Sequence, residues 1–147
     1  MELIEFLTAR LDEDEQVARA TVWDGSGNQP DWSLPASATV DVGGDEFYAG
    51  DRTIADHIDR HDPARVLREV EAKRRIVEEH GIVHRDIGWL KDGGEEYDET
   101  PVCGTCVPKN SHFQRREDVP EGPCGTVRAL AAVYAEHPDF DPAWLED

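Results

Sequence analysis

Basic side chains are scarce in this sequence: 15 Lys and Arg stand against 33 Asp and Glu, leaving a formal charge of −18. So acidic a chain repels nucleic-acid phosphate, which argues against generic DNA or RNA binding. It is equally ill suited to an anionic membrane surface. Long apolar runs are missing as well. No stretch approaches the roughly 18 apolar residues needed to span a bilayer. The opening Met1-Glu2-Leu3-Ile4-Glu5 has neither the basic nor the apolar region of a secretory signal. Cysteine is limited to three residues, an odd number that suits no disulfide framework. With two of them spaced C-x-x-C, a metal in a reducing compartment is the better fit, and the expected location is the cytoplasm. No serine lies in a Gly-x-Ser-x-Gly frame, so an esterase elbow is absent. The glycine pairs lack the lysine and the strand-loop-helix setting of a phosphate-binding loop.

What is present suits one modest core. A chain of 147 residues is expected to form a single domain, because two separate cores would each be marginal. Charged residues make up 33% of it, above the roughly 25% of an average domain. Solubility is the plain reading of that charge. The sharper readings are a high-salt cytoplasm or a surface that imitates nucleic acid.

Residues 2–20 are expected to form a helix, with Leu3, Phe6, Leu7, Leu11, Val17 and Ala18 recurring at helical steps. Asp12-Glu13-Asp14-Glu15 would be its solvated face. From Thr21 to Gly50 the pattern shortens. Ala38–Val42 and Glu46–Ala49, separated by Gly43-Gly44-Asp45, read as an antiparallel ribbon faced by Trp23 and Trp32. Such a ribbon needs helices to pack on. Thr53 is placed to cap a short helix through Arg60. Asp62 is a good N-cap for the central helix, with Pro63 at its first position. Val66, Leu67, Val70, Arg74 and Val77 continue that helix, and Gly81 stops it after His80. Residues 81–122 read as irregular, punctuated by Gly93-Gly94, Pro101, Pro108, Pro120 and Gly122. A last helix from Pro123 or Cys124 to Glu136 would bury Val127, Leu130, Ala131 and Tyr134. Asp141-Pro142 then starts a turn that docks Trp144. The expected fold class is α+β, mainly helical: helix, short antiparallel ribbon, central helix, zinc-knuckle loop, C-terminal helix.

A loop of some 40 residues without fixed structure is suspect inside a compact domain, so something other than packing should hold the region from about 81 to 124. Cys103-Gly104-Thr105-Cys106 offers it. Two thiolates on a tight turn, relieved by Gly104, can converge on one tetrahedral ion. Cys124 follows at the start of a helix, where the positive dipole end favours thiolate. The fourth donor is expected to be His80, with His84 second and His112 third. Three thiolates and an imidazole make a closed structural zinc site rather than a catalytic one, which needs an open position and a nearby base. A redox C-x-x-C usually opens a helix after a strand, and here Pro108 and Asn110 follow closely.

His57-x-x-x-His61-Asp62 has the outline of a metal-dependent phosphohydrolase motif, but further His and Asp ligands are not identifiable and the capping role accounts for Asp62. Lys73-Arg74-Arg75 is set among Glu69, Glu71, Glu78 and Glu79 and reads as a salt-paired helix face.

The segment His57-Ile58-Asp59-Arg60-His61-Asp62-Pro63-Ala64-Arg65-Val66-Leu67, continuing Glu69-Val70-Glu71-Ala72-Lys73-Arg74-Arg75-Ile76, resembles a family of short actinobacterial and actinophage proteins catalogued as a domain of unknown function. Phe6-Leu7-x-Ala9-Arg10-Leu11-Asp12-Glu13-Asp14-Glu15, Pro123-Cys124-x-Thr126-Val127-Arg128 and Tyr134-Ala135-x-His137-Pro138-Asp139 look like the same family. The resemblance implies no activity. It does put His80 and the three cysteines inside family motifs, and the chain departs from the pattern around Gly88 to Thr100. More distantly, Ile58 through Leu67 is similar to a segment of small phage accessory proteins. The sequence therefore points to a zinc-stabilised binding or adaptor protein, of phage or prophage type, meeting a protein partner through its acidic surface. The alternative is a small hydrolase-like metalloenzyme using the histidine-rich middle or an open zinc position.

Overall fold

The computed structural model describes residues 1–146 and is mixed α+β, with four α-helices and two three-stranded sheets. The chain divides into two compact units, Met1–Thr8 with Arg74–Asp147 and Ala9–Lys73. Each is considered by itself.

Helix α1 (Leu3–Ala20) runs where the apolar stripe places it. In the unit formed by Ala9–Lys73, Leu11 and Ala18 are buried, whereas Val17 is 71% exposed and does not belong to the inward stripe. Ala18 follows Leu11 by seven residues and shares its face, whereas Val17, one residue earlier, lies about 100° round the helix. The first sheet is antiparallel in the order β1 (Ser33–Ala36), β2 (Thr39–Asp41), β3 (Glu46–Tyr48), so the ribbon gains a strand that Pro35 had hidden. Val40 is fully buried at its centre. Gly43 has φ +97, and a Cβ on Gly44 would stand 2.0 Å from the Ser26 carbonyl, so both glycines are required by the turn. Trp32 donates its indole N–H to the Gln29 carbonyl at 3.1 Å. Trp23 is 63% exposed and, against expectation, does not cover the ribbon.

Helix α2 (Arg52–Arg60) is capped by Asp51 rather than Thr53: the Asp51 carboxylate accepts from the Ile54 amide at 2.9 Å and the Thr53 hydroxyl at 2.6 Å. These bonds, with the Thr53 hydroxyl foremost, hold the Asp51 carboxyl below its usual range. Asp62 caps α3 (Pro63–Glu79) as expected, one oxygen accepting from the Arg65 amide at 2.8 Å. Its other oxygen accepts from the Trp32 amide at 3.1 Å. One buried carboxylate thereby starts a helix and ties down the approach to β1.

In the unit containing residues 74–146, the region expected to be irregular is a regular β-hairpin. β4 (Ile82–Lys91) pairs antiparallel with β5 (Gly94–Cys103) without a break, from Lys91↔Gly94 at the turn to Ile82↔Cys103 at the base. Asp92 and Gly93 have φ values of +49 and +84, the two positive dihedrals of a type I′ turn, for which Asp-Gly is a favoured pair. The loop expectation is therefore corrected over 82–103. Acidic residues on β5 hide the strand pattern, and burial falls on different stretches of the two strands, Ile87–Trp89 of β4 and Thr100, Val102 and Cys103 of β5. Gly88 is not a breaker. A Cβ there would meet His112 Nδ1 and Tyr97 Cε1, each at 2.8 Å, so glycine allows the two rings to lie across the strand. The short β6 (His112–Phe113) pairs parallel to β4, giving the order β5-β4-β6.

Ile87, Trp89, Val102, Val107 and Val119 form the core beneath this sheet, with Phe113 packed on it. Arg116 lies over the Trp89 ring at 5.1 Å. Helix α4 (Gly125–Ala131) buries Val127 and Ala131 and continues as a 3₁₀ turn over Ala132–Tyr134. A final 3₁₀ turn over Pro142–Leu145, capped by Asp141, brings Trp144 to 5.0 Å from the Phe6 ring. Tyr134, His137 and Phe140 also pack edge-on against Phe6, which is fully buried.

Asp62→Ala is expected to lower stability by about 2 kcal/mol in urea denaturation, more than an ordinary exposed cap, because both oxygens have amide partners. Asp62→Asn should cost less than half of that.

Candidate metal centre

The base of the hairpin leads directly into the cysteine turn. Cys103 is the last residue of β5 and pairs with Ile82, two residues after His80. The turn that follows is fixed by backbone bonds. The Gly104 amide donates to the Gly81 carbonyl at 2.9 Å, and the Val107 amide to the Cys103 carbonyl at 3.0 Å. Arg85 donates to the Gly104 carbonyl at 2.9 Å, and the Thr105 hydroxyl to the Glu79 carbonyl. The end of α3 and the cysteine turn are thus clamped together on either side of Gly81. A Cβ on Gly104 would lie 3.3 Å from Val83 and 3.4 Å from the Gly81 carbonyl, tight enough to disturb that approach.

Into this corner His80 turns its Nδ1. The sulfurs of Cys103, Cys106 and Cys124 stand 3.5, 3.6 and 3.4 Å from it. All four donor atoms lie within 4.8 Å of one another. A tetrahedral zinc with Zn–S of about 2.3 Å and Zn–N of about 2.0–2.1 Å spaces sulfur and nitrogen ligands about 3.5 Å apart. The three observed separations match that edge length. The donor set, one imidazole and three thiols, could hold a metal ion.

The electrostatics of the sulfurs point the same way. Burial opposes the thiolate of Cys124, but the Val127 amide, the Cys103 thiol and the Thr126 amide outweigh it and bring the group down to about 6. Cys124 stands at the N-cap of α4 without a formal capping hydrogen bond, so the amides act on its sulfur by proximity and orientation. Cys106 is pushed up to about 12, first by hydrogen bonding to Cys103, then by burial and by Cys124. Three sulfurs this close cannot all ionise without a cation among them, since each added thiolate repels the others.

His84 is exposed on β4. His112 is half-exposed on β6, with its Nδ1 3.6 Å from a Glu95 oxygen. Neither belongs to the cluster, which gathers His80 with all three cysteines. His57 and His61 stack at 4.4 Å between ring centroids, and His61 Nδ1 lies 2.8 Å from the His57 carbonyl. Together with the capping role of Asp62, this accounts for the motif by helix-end packing. Among the described residues no second group of His, Cys, Asp or Glu is gathered for a metal.

A cleft of about 300 Å³ opens beside the cysteines, lined among others by Glu121 and Arg128. Both charges are engaged. Arg128 donates to the carbonyls of Pro123 at 3.0 Å and Glu146 at 2.7 Å, and Glu121 is ion-paired with Arg116. The cleft offers no free acid or base beside the sulfurs among the described residues.

Purified without chelator, the protein is expected to carry one equivalent of zinc by elemental analysis. Cys124→Ser and His80→Ala should each lose it and melt at a lower temperature. His112→Ala and His84→Ala should keep both. Full zinc retention in His80→Ala would remove the imidazole from the centre.

The chain belongs to a family of unknown function (DUF6221), whose model matches residues 1–146. No curated protein and no solved structure matches it.

Proposed function

We propose, since membership of that family assigns no activity, that this chain is a zinc-stabilised binding protein that presents an acidic surface to a basic protein partner. The observation that carries the zinc is the set of three S···Nδ1 separations of 3.4–3.6 Å. Four protein donors fill a tetrahedron and leave no coordination position for a substrate or a reactive water, which favours a structural over a catalytic ion. Bound there, zinc would contribute on the order of 10 kcal/mol to folding, comparable with the whole net stability of a domain. The charge of −18 supports a basic protein as partner and speaks against nucleic acid and anionic membranes. No helix among the described residues is long and apolar enough to cross a membrane. Reduced, metal-bound cysteines fit the cytoplasm. An accessory role in a phage or prophage accords with the resemblance seen in the sequence.

Capture of partners from a host lysate, followed by mass spectrometry, tests this reading. A basic protein should be recovered, with binding that weakens steeply between 0.1 and 1 M salt as the screening length falls from about 10 to about 3 Å. Partners whose affinity ignores salt would point to an apolar contact instead. The zinc-free His80→Ala variant should bind more weakly, because the surface it presents is less well ordered.

A further inference from the structure

Strand β5 is the outer strand of its sheet, with β4 on one side only. The two-residue turn makes Lys91 and Gly94 a hydrogen-bonded pair, and the unbroken register then fixes every later position. Glu96, Asp98 and Thr100 direct their backbone groups toward β4. Glu95, Tyr97 and Glu99 direct theirs outward. The next outward carbonyl, that of Pro101, accepts from the Gly122 amide at 2.8 Å, which verifies the phase and shows where the edge becomes covered. Between the turn and that cover, the amides and carbonyls of Glu95, Tyr97 and Glu99 have no backbone partner among the described residues. Residues 94–99 are all exposed.

Such an edge ordinarily invites another strand, and charge decides which. Glu95, Glu96, Asp98 and Glu99 line it with carboxylates and no base. Glu99 stands directly opposite Asp86 on β4, a like-charge cross-strand pair that is unfavourable until a cation lies between the two. Neither of these two has an ion-pair partner among the described residues. Glu96 is matched by Lys91 at 2.9 Å, and Glu95 accepts from the Tyr97 hydroxyl at 2.6 Å and lies 3.6 Å from His112 Nδ1. A second copy of this chain would bring carboxylates against carboxylates. Tyr97, 53% exposed, and Leu90, also 53% exposed, add apolar surface beside the edge.

We propose that the free edge of β5, from Glu95 to Glu99, binds an extended lysine- or arginine-rich segment of a partner protein by adding it as a fourth strand. The proposal rests on the basic-partner reading and gives it a location. Backbone bonds to Glu95, Tyr97 and Glu99 hold the segment in register, while its basic side chains meet the four carboxylates and Asp86.

The zinc-loaded protein is titrated with a short labelled peptide alternating lysine and valine, and with the same peptide N-methylated at every backbone amide, which has equal charge but no amide to donate to a ladder. The first should bind at least about tenfold more tightly, as expected of a few backbone hydrogen bonds. On binding, hydrogen exchange should slow at the amides of Glu95, Tyr97 and Glu99. Tyr97→Pro, which removes an outward amide and spares the β4 ladder, should abolish the difference between the peptides. Equal binding of both peptides with no amide protection overturns strand addition and leaves a purely electrostatic basic-partner surface standing. Protection confined to other residues overturns the location. Binding of neither peptide at low salt overturns both the edge site and the basic-partner reading. The exchange measurement needs no variant, so a Tyr97→Pro chain that fails to fold leaves the test intact.

Discussion

Crowding three sulfurs and an imidazole nitrogen into one small volume is a repulsive arrangement unless a cation lies among them. Everything around the cluster works to impose it. The end of α3 delivers His80, the base of the hairpin delivers Cys103 and Cys106, and the start of α4 delivers Cys124. The four donors come from three elements, each of which ends or begins where its donors stand. The backbone bonds across Gly81 and Gly104 hold two of the three together even before the sulfurs are considered. An ion of the right size converts that crowding from a cost into the strongest attraction in this part of the chain.

A metal held by these four donors would help so acidic a protein hold a fold with a modest core. Repulsion among 33 carboxylates opposes compaction. The buried apolar side chains around Ile87 and Trp89, and the aromatic cluster on Phe6, are small groups. A tie between remote segments adds stability without adding apolar area, which small or charge-laden proteins regularly need.

Much of this was legible in the residues. Asp62-Pro63 marked the start of α3, Gly81 marked its end, and the C-x-x-C with Cys124 and His80 named the four members of the cluster. Those signals are local and chemically specific. The hairpin was not legible, because its turn pair, Asp92-Gly93, is followed by an acid-rich stretch that is exposed throughout. Burial falls on different stretches of the two strands, Ile87–Trp89 on β4 and Thr100, Val102 and Cys103 on β5, so no alternation runs the length of either. Gly88, inside the first of these strands, is glycine because it admits the rings of Tyr97 and His112. Thr53 and Val17 were errors of one or two residues, Asp51 taking the cap and Ala18, not Val17, continuing the buried face of Leu11. Such offsets arise because cap chemistry and amphipathic stripes locate a helix more sharply than they locate its ends.

The hairpin also works as a measuring stick. Counting back from the turn, equal strand lengths bring Cys103 level with Ile82 and so beside His80. One residue added to a single strand would move the cysteine past its partner and turn it to the other side of the sheet. Growth or shrinkage in matched steps on both strands would leave the far end untouched. The stretch from Gly88 to Thr100 takes in the outer part of that hairpin. Such a hairpin can lengthen or shorten its tip without disturbing the cysteine turn, provided that each change on the way out is mirrored on the way back.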